Sequence, residues 1–194
     1  GKESHASAPC TIHRKTLKGS YPHQLYLSSG MKQLERAHKN DYIIVTPKLE
    51  DMWFRETLVG DEETMAYNKK WGGAIDFPQN KWEDWYARWV AHPKNKRFYQ
   101  YILSENDGFV GEAAYHFDES RQIYVTNVIV MAKYRGKGYG SAGLKLLCDC
   151  AKQNGIECLY DEIAIDNPSV RLFLKQGFRE ECRTDDFVVV KKVL

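Results

Sequence analysis

The chain has 194 residues, with 28 Lys and Arg against 26 Asp and Glu and a net charge of +2. That length suits one domain of ordinary size with a substantial core. The near balance of charge gives no reason to expect a nucleic acid or an anionic membrane as a partner. No stretch approaches the roughly 18 apolar residues of a membrane span.

Cysteine and histidine usage limits the chemistry further. The five cysteines lack Cys-x-x-Cys spacing, which favours reduced thiols and a cytoplasmic location. No histidine pair has ligand spacing with a carboxylate or cysteine nearby, so we predict no metal. Residues 1–23 are polar, basic and aperiodic, and we expect a flexible arm there, followed by a single domain over residues 24–194.

The first half of that domain predicts a strand over residues 42–46, short helices within 49–68, and an aromatic helix before His92-Pro93. The aromatic residues of that helix recur at helical spacing: Trp82, Trp85, Tyr86 and Trp89. We expect this stripe to pack in the core. The alternative is that its exposed edge, with Trp71 or Phe77, holds a cationic ligand against an aromatic face.

Alternating residues predict strands over 97–104 and 109–117, joined at an Asp-Gly hairpin turn. A central strand over 124–132, a helix ending near Asn154-Gly155 and a parallel strand over 159–165 follow. A helix over 168–176 and strands over 178–183 and 187–193 complete the chain. The predicted fold is α/β of the α+β type, a mixed and mostly antiparallel sheet with helices on both faces.

A basic loop between the central strand and its helix carries Gly136, Gly138 and Gly140 among Lys133, Arg135 and Lys137. Helix starts present unpaired N–H groups, and glycines let an anion approach without meeting a Cβ. The dipole term is only about 0.3 to 1 kcal/mol at an exposed site, so several N–H bonds and the basic charges would supply most of the affinity. We interpret the loop as a diphosphate cradle rather than a simple tight turn.

Two nucleotide motifs fit the loop less well. No Gly-Lys-Ser or Gly-Lys-Thr ends it, which excludes a P-loop. The dinucleotide fingerprint matches by letter at residues 138–143, with Asp161 and Glu162 about twenty residues further on. Too little chain follows for repeated βαβ units, so a dinucleotide-binding oxidoreductase stays only as the weaker alternative.

Arg135-x-x-Gly138-x-Gly140 resembles the acetyl-CoA signature of the GNAT superfamily of N-acetyltransferases, and it lies after an apolar strand and before a helix, as it does in that family. The segment from Asn167 to Gly177-Phe178 resembles the family's Asn-rich helix start and Gly-Phe element. The resemblance covers roughly the last hundred residues well and the first hundred only by layout.

The resemblance implies how a co-substrate would bind. The backbone of Val128, Ile129 and Val130 would pair with pantetheine, and the strands carrying Val130 and Ile163 would splay to admit it. Loop residues would hold the diphosphate, with Arg135 fixing the loop and Asn167 nearby. The loop residues are Gly136, Lys137, Gly138, Tyr139, Gly140 and Ser141.

The family also implies a carboxylate base, which takes a proton from the amine directly or through water. Counting back from Asn167 gives Glu162, counting back from Gly177 gives Asp161, and Glu112 on the neighbouring strand is a third candidate. The sequence does not decide which of these three carboxylates is the base.

One position departs from the family. Phe173 stands where the family often has a tyrosine that protonates the leaving thiolate. The proton for the thiolate would then come from Tyr160, Tyr134, Tyr139 or a water, or the thiolate leaves without a proton donor.

The resemblance therefore implies acetyl transfer from acetyl-CoA to a primary amine by direct attack in a ternary complex, in a monomer or homodimer. The acceptor is a small-molecule amine or an exposed amino group. Phe173 keeps one alternative open, a non-catalytic domain that binds acyl-CoA.

Overall fold

A seven-stranded sheet runs in the order β1-β2-β3-β4-β5-β7-β6. The computed structural model describes residues 42–93 and 96–194, so the arm predicted over residues 1–23 lies outside the described residues. The strands are β1 Tyr42–Val45, β2 Phe98–Ser104, β3 Gly108–Asp118, β4 Ile123–Val130, β5 Cys158–Ala164, β6 Arg179–Arg183 and β7 Phe187–Val193. Only β4 and β5 pair in parallel; the other neighbouring strands of the described sheet are antiparallel.

Within the described residues, four α-helices accompany the sheet: α1 Met52–Gly60, α2 Trp82–Tyr86, α3 Tyr139–Gln153 and α4 Ser169–Lys175. Helix α2 continues as a π-helical turn over Ala87–Ala91. The observed bounds differ from the predicted ones by one or two residues for most elements, because the ends of helices and strands depend on tertiary contacts. The predicted fold class is confirmed.

The sheet has two covered faces, because successive residues of a strand point in opposite directions. On the first, Tyr99, Tyr101 and Ala114 pack with Met52 and Leu58 of α1 in the core cluster; we call this the α1 face. The aromatic stripe of α2 and of the turn after it packs against the same cluster, as predicted, although its four side chains are only partly buried.

Helix α3 covers the opposite face, which we call the α3 face. Gly143 lies so close to β2 that a Cβ there would approach Ile102 Cδ1 to 2.5 Å, a separation that only glycine allows without a shift. The apolar side of α3 is buried through Leu144, Leu147 and Ala151. None of the helices in residues 42–93 and 96–194 has the length and apolar run of a membrane span.

Candidate active site

The sheet opens between β4 and β5. Their backbones pair at Val125 and Tyr160, and beyond that point β4 continues beside β3 while β5 continues beside β7. No further β4–β5 pair joins the described residues, so the facing N–H and C=O groups lack a strand partner. Such groups can pair with an extended ligand that carries amides. Val128, Ile129 and Val130 line the β4 side of this opening.

The glycine loop follows directly from the end of β4. Gly136 and Gly138 have φ of +78° and +89°, a region that strains any side chain. The first hydrogen bond of α3 joins the Ala142 N–H to the Gly138 carbonyl at 3.1 Å. The N–H groups of residues 139–141 have no acceptor among the described residues, so the start of this helix of 15 residues is suited to bind an anion.

Arg135 anchors the loop to the segment after α1. Its Nη2 donates to the Thr64 carbonyl at 2.6 Å and its Nη1 donates to the Glu63 carbonyl at 3.5 Å. The Thr64 hydroxyl accepts the Ala132 N–H at 2.8 Å and donates to the Asp61 carboxylate. The guanidinium is therefore engaged with backbone carbonyls, an arrangement that holds the loop rather than offering a free phosphate ligand.

Asp107, in the turn between β2 and β3, binds two residues of the glycine loop. Lys137 Nζ lies 3.0 Å from Asp107 Oδ2, and the Tyr139 hydroxyl donates to the same oxygen at 2.7 Å. The hydrogen bonds from Tyr139 and Lys137 lower the pKa of the Asp107 carboxyl. Lys133 forms no ion pair with the described residues, and its Nζ lies 4.8 Å from the Tyr134 ring. Its positive charge acts on the Asp61 and Asp107 carboxyls, whose pKa values it helps to lower.

Helix α4 meets the start of α3. Ser141 Oγ accepts from Gln176 Nε2 at 2.6 Å, and a Cβ on Gly140 would lie 3.1 Å from Leu172 Cδ1. Asn167 Oδ1 accepts the Ser169 N–H at 2.9 Å, so this side chain caps α4. Its NH2 group makes no hydrogen bond to the described residues and is free to reach a ligand.

Asp161 and Glu162 point to opposite faces of β5. Asp161 lies on the α3 face, where the Thr126 hydroxyl of β4 donates to Asp161 Oδ2 at 2.7 Å. Glu162 lies on the α1 face, where its Oε2 accepts from Arg121 Nη1 at 3.4 Å. Asp161 follows the last backbone pair between β4 and β5, so its carboxyl lies at the closed end of the opening.

The environment of Asp161 changes its protonation. Desolvation raises the pKa of its carboxyl from 3.8 to about 7, although the hydrogen bonds from Thr126 and the Glu162 backbone act in the opposite direction. A carboxylate with a pKa near the working pH is an effective proton acceptor.

Glu112 is the centre of a buried network on the α1 face. Its side chain is 1% exposed, and Arg55 Nη1 donates to its Oε2 at 2.6 Å. The Tyr99 hydroxyl donates to the same oxygen, while Asn127 Nδ2 donates to Oε1 at 2.9 Å. The Arg55 guanidinium also lies 4.2 Å from the Trp85 ring centre. Both carboxylate oxygens are thus occupied, which leaves Glu112 poorly placed to accept a substrate proton.

Phe173 belongs to the core of the α3 face. It is 3% exposed, and its ring centre lies 4.9 Å from that of Phe178 in an edge-on arrangement. Of the tyrosines considered in its place, Tyr134 and Tyr139 both donate to Asp107. Tyr160 lies beside Lys191, whose Nζ is 5.3 Å from its ring centre.

An open groove of about 770 Å³ lies between α1 and the segment over residues 74–82. It combines acidic with aromatic side chains: Glu56, Asp61 and Asp76 with Trp53, Phe77 and Trp82. Asp61 is held by Thr64 and Asp76 by Lys81. Glu56 forms no ion pair with the described residues, and Trp53 is 52% exposed, so the groove can accept a cation beside an aromatic ring.

Several of these residues were not predicted from the sequence. Thr126 and Asn127 carry a weak signal, since they are polar residues inside an otherwise apolar strand. Arg55 and Tyr99 carry none, because their contacts with Glu112 join residues that are far apart in the chain.

Comparisons with known proteins point to the family that the sequence motifs resemble. The profile of the acetyltransferase (GNAT) family matches residues 56–178, and no curated protein sequence matches the chain. A spermidine N-acetyltransferase from Vibrio cholerae, in complex with CoA and spermine, is 16% identical, with a TM-score of 0.67 over 79% of this chain and 95% of that one.

Two further structures share the fold. An N-acetyltransferase from Staphylococcus aureus Mu50 is 20% identical, with a TM-score of 0.64 over 79% of this chain and 98% of that one. A Salmonella typhimurium protein with its cofactor acetyl-CoA is 20% identical, with a TM-score of 0.61 over 80% and 95%. The family match covers more than half of the chain, and we conclude that the protein is an N-acetyltransferase of the GNAT family.

Proposed function

We propose that the protein transfers the acetyl group of acetyl-CoA to a primary amine by direct attack in a ternary complex. The observation that carries the proposal is the opening between β4 and β5, which has unpaired backbone groups along its sides and the start of α3 beside it. An extended amide-bearing arm with a diphosphate fits both features.

The chain's own residues divide the binding between them. The backbone of residues 128–130 would pair with the pantetheine amides, and the N–H groups of residues 136–141 would hold the diphosphate beside Lys133. Arg135 would keep the loop in place through Thr64 and Glu63. Bound acetyl-CoA supplies the activated acetyl thioester.

Asp161 is the base we favour among the three carboxylates. An alkylammonium has a pKa near about 10.4 and must lose a proton before it can attack. Asp161 has a pKa of about 7, and its carboxyl accepts hydrogen bonds from the Thr126 hydroxyl and the Glu162 backbone but forms no ion pair with the described residues. Glu162 is partly neutralised by Arg121 and Glu112 by Arg55, so both are weaker candidates.

We infer that the acceptor is a small cationic amine. The groove beside α1 supplies the free carboxylate of Glu56 next to Trp53, which suits a second positive charge on the acceptor. A cytoplasmic location is consistent with the free thiols of the four described cysteines. We further propose a monomer or homodimer that requires neither a nucleic acid nor a membrane.

Calorimetric titration with acetyl-CoA tests the cradle. Gly138→Asp is expected to abolish binding, because it adds a negative charge and a strained φ at the site of the diphosphate. Gly72→Asp is the matched control, since Gly72 also has a positive φ and open space where a Cβ would be. Equal affinity of both variants and the wild type would contradict the cradle.

Released thiol, measured with spermidine and with phenethylamine as acceptors, tests transfer. Turnover that Asp161→Asn reduces more than Glu162→Gln supports the proposed base. Acetyl-CoA binding without turnover on any amine would favour the non-catalytic acyl-CoA-binding alternative, which the buried Phe173 keeps open. A dinucleotide-binding oxidoreductase is disfavoured, because β4, α3 and β5 form the only parallel unit in the described sheet.

A further inference from the structure

Asn127 is an exposed amide beside the opening. It lies on β4 opposite Ala114, which places it on the α1 face. It comes directly after Thr126, the residue that holds Asp161, and two positions beyond the last β4–β5 backbone pair. Val125 and Ile129, its neighbours on the same face of β4, are apolar, so an exposed amide here is not explained by the sheet alone.

The buried network fixes the orientation of this amide. Glu112 is paired with Arg55, and a carboxylate in an ion pair accepts hydrogen bonds but donates none. Only the NH2 group of Asn127 can therefore face Glu112, at 2.9 Å. The carbonyl oxygen Oδ1 is turned away from the network, and it accepts no hydrogen bond from the described residues.

We propose that Asn127 positions the acceptor amine by accepting one of its N–H bonds on Oδ1. The inference rests on the proposed function and adds a residue that recognises the reacting nitrogen itself. A neutral amine has two N–H bonds and one lone pair. With one N–H held by Oδ1, the lone pair can be directed at the thioester carbonyl; the C–N bond forms, the C–S bond breaks and CoA leaves as the thiolate. The proton lost by the amine passes through water in the opening to Asp161, which lies on the α3 face, and not to Asn127.

Glu112 then acts through Asn127 and is itself a positioning residue. Arg55 and Tyr99 hold Glu112 on one side, and Glu112 holds the amide on the other. The buried ion pair of Glu112 and Arg55 thus fixes the orientation of a surface side chain, Asn127, although neither charged residue touches the substrate.

Asn127→Ala is the first test. We expect kcat/KM for spermidine or phenethylamine to fall by about 10- to 100-fold, the effect of losing one substrate hydrogen bond at a preorganised site. The slow hydrolysis of acetyl-CoA by water, which needs no amine, and the calorimetric affinity for acetyl-CoA should change less than transfer does. The melting temperature should fall, because the buried Glu112 Oε1 loses its hydrogen bond. Asn106→Ala removes an exposed amide from the β2–β3 turn and serves as the matched control.

The isosteric variant Asn127→Asp supplies a second readout. Its carboxylate has the shape of the amide but no N–H to donate, and it repels Glu112. The charged or titratable groups on this face are Glu112, Arg55 and Tyr99 of the network, His116 of β3, and Glu162 with its partner Arg121. An exposed aspartate has a pKa of about 3.9 and is ionised from about pH 6.5 to 8.5, so kcat/KM should fall throughout this range as it does in Asn127→Ala.

These measurements distinguish a failure of the proposed acetyl transfer from a failure of the positioning role of Asn127. If wild-type protein acetylates neither amine, the proposed function fails before Asn127 is tested. If wild type is active and Asn127→Ala keeps full kcat/KM, or loses hydrolysis and transfer equally, the positioning role is overturned. Wild-type kcat/KM in Asn127→Asp would overturn the fixed orientation of the amide, because an ionised carboxylate cannot donate to Glu112.

Discussion

Replacing Asp161 with Asn should make the protein more stable at alkaline pH and less active. The pKa of Asp161 rises from 3.8 to about 7 on folding, so the folded state binds a proton that the unfolded state has lost. Stability must then fall as the pH rises between about 4 and 7. At about 1.4 kcal/mol per pKa unit, the full cost above pH 7 is about 4 kcal/mol.

Because Asp161 is only partly buried, we expect about 2 to 4 kcal/mol after allowance for solvent screening. Asn keeps the size of the side chain and can still accept the Thr126 hydrogen bond, but it does not ionise.

Urea denaturation at pH 5 and pH 8 measures this difference. The variant should exceed wild type in free energy of unfolding at pH 8 and approach it at pH 5. Its kcat/KM for the amine should fall by about 10²- to 10⁴-fold, the range for loss of a general base, and wild-type kcat/KM should rise through a pKa near 7. Parallel stability curves for the two proteins would refute the desolvated carboxyl, and unchanged turnover would refute the base.

Three other substitutions have defined outcomes. Arg135→Lys cannot reproduce the two bonds to the carbonyls of residues 63 and 64, so acetyl-CoA affinity by calorimetry should fall about tenfold; unchanged affinity would mean that the loop needs no anchor. Arg55→Met leaves Glu112 buried without its partner and should lower the free energy of unfolding by about 3 to 5 kcal/mol, whereas a loss below 1 kcal/mol would show that water already solvates Glu112. Phe173→Tyr should lose about 1 to 3 kcal/mol by burying a hydroxyl without a partner and gain no rate; a faster kcat would contradict its core role.

The family could be inferred from the sequence because its signature is local. Residues 135–140 lie together in the chain, and the glycines needed for positive φ at Gly136 and Gly138 are visible as letters. The strands and helices were also predicted closely, since alternation and helical spacing report burial on a single element.

The sequence could not choose among the three carboxylates. Asp161 and Glu162 differ by one position along β5, which places them on opposite faces, and a count from a neighbouring motif cannot resolve a shift of that size. From the sequence alone, Glu112 is expected to be an accessible carboxylate on a strand, because its ion-pair partner Arg55 lies 57 positions earlier in the chain.

The sequence by itself thus determined the family, the order of the elements and the loop beside the proposed diphosphate site, because each depends on residues close together in the chain. Only the tertiary structure decided which carboxyl is desolvated, which is neutralised by an ion pair, and which way the Asn127 amide faces. Those properties depend on burial and on partners from distant strands and helices, and hydrophobic periodicity carries no information about either.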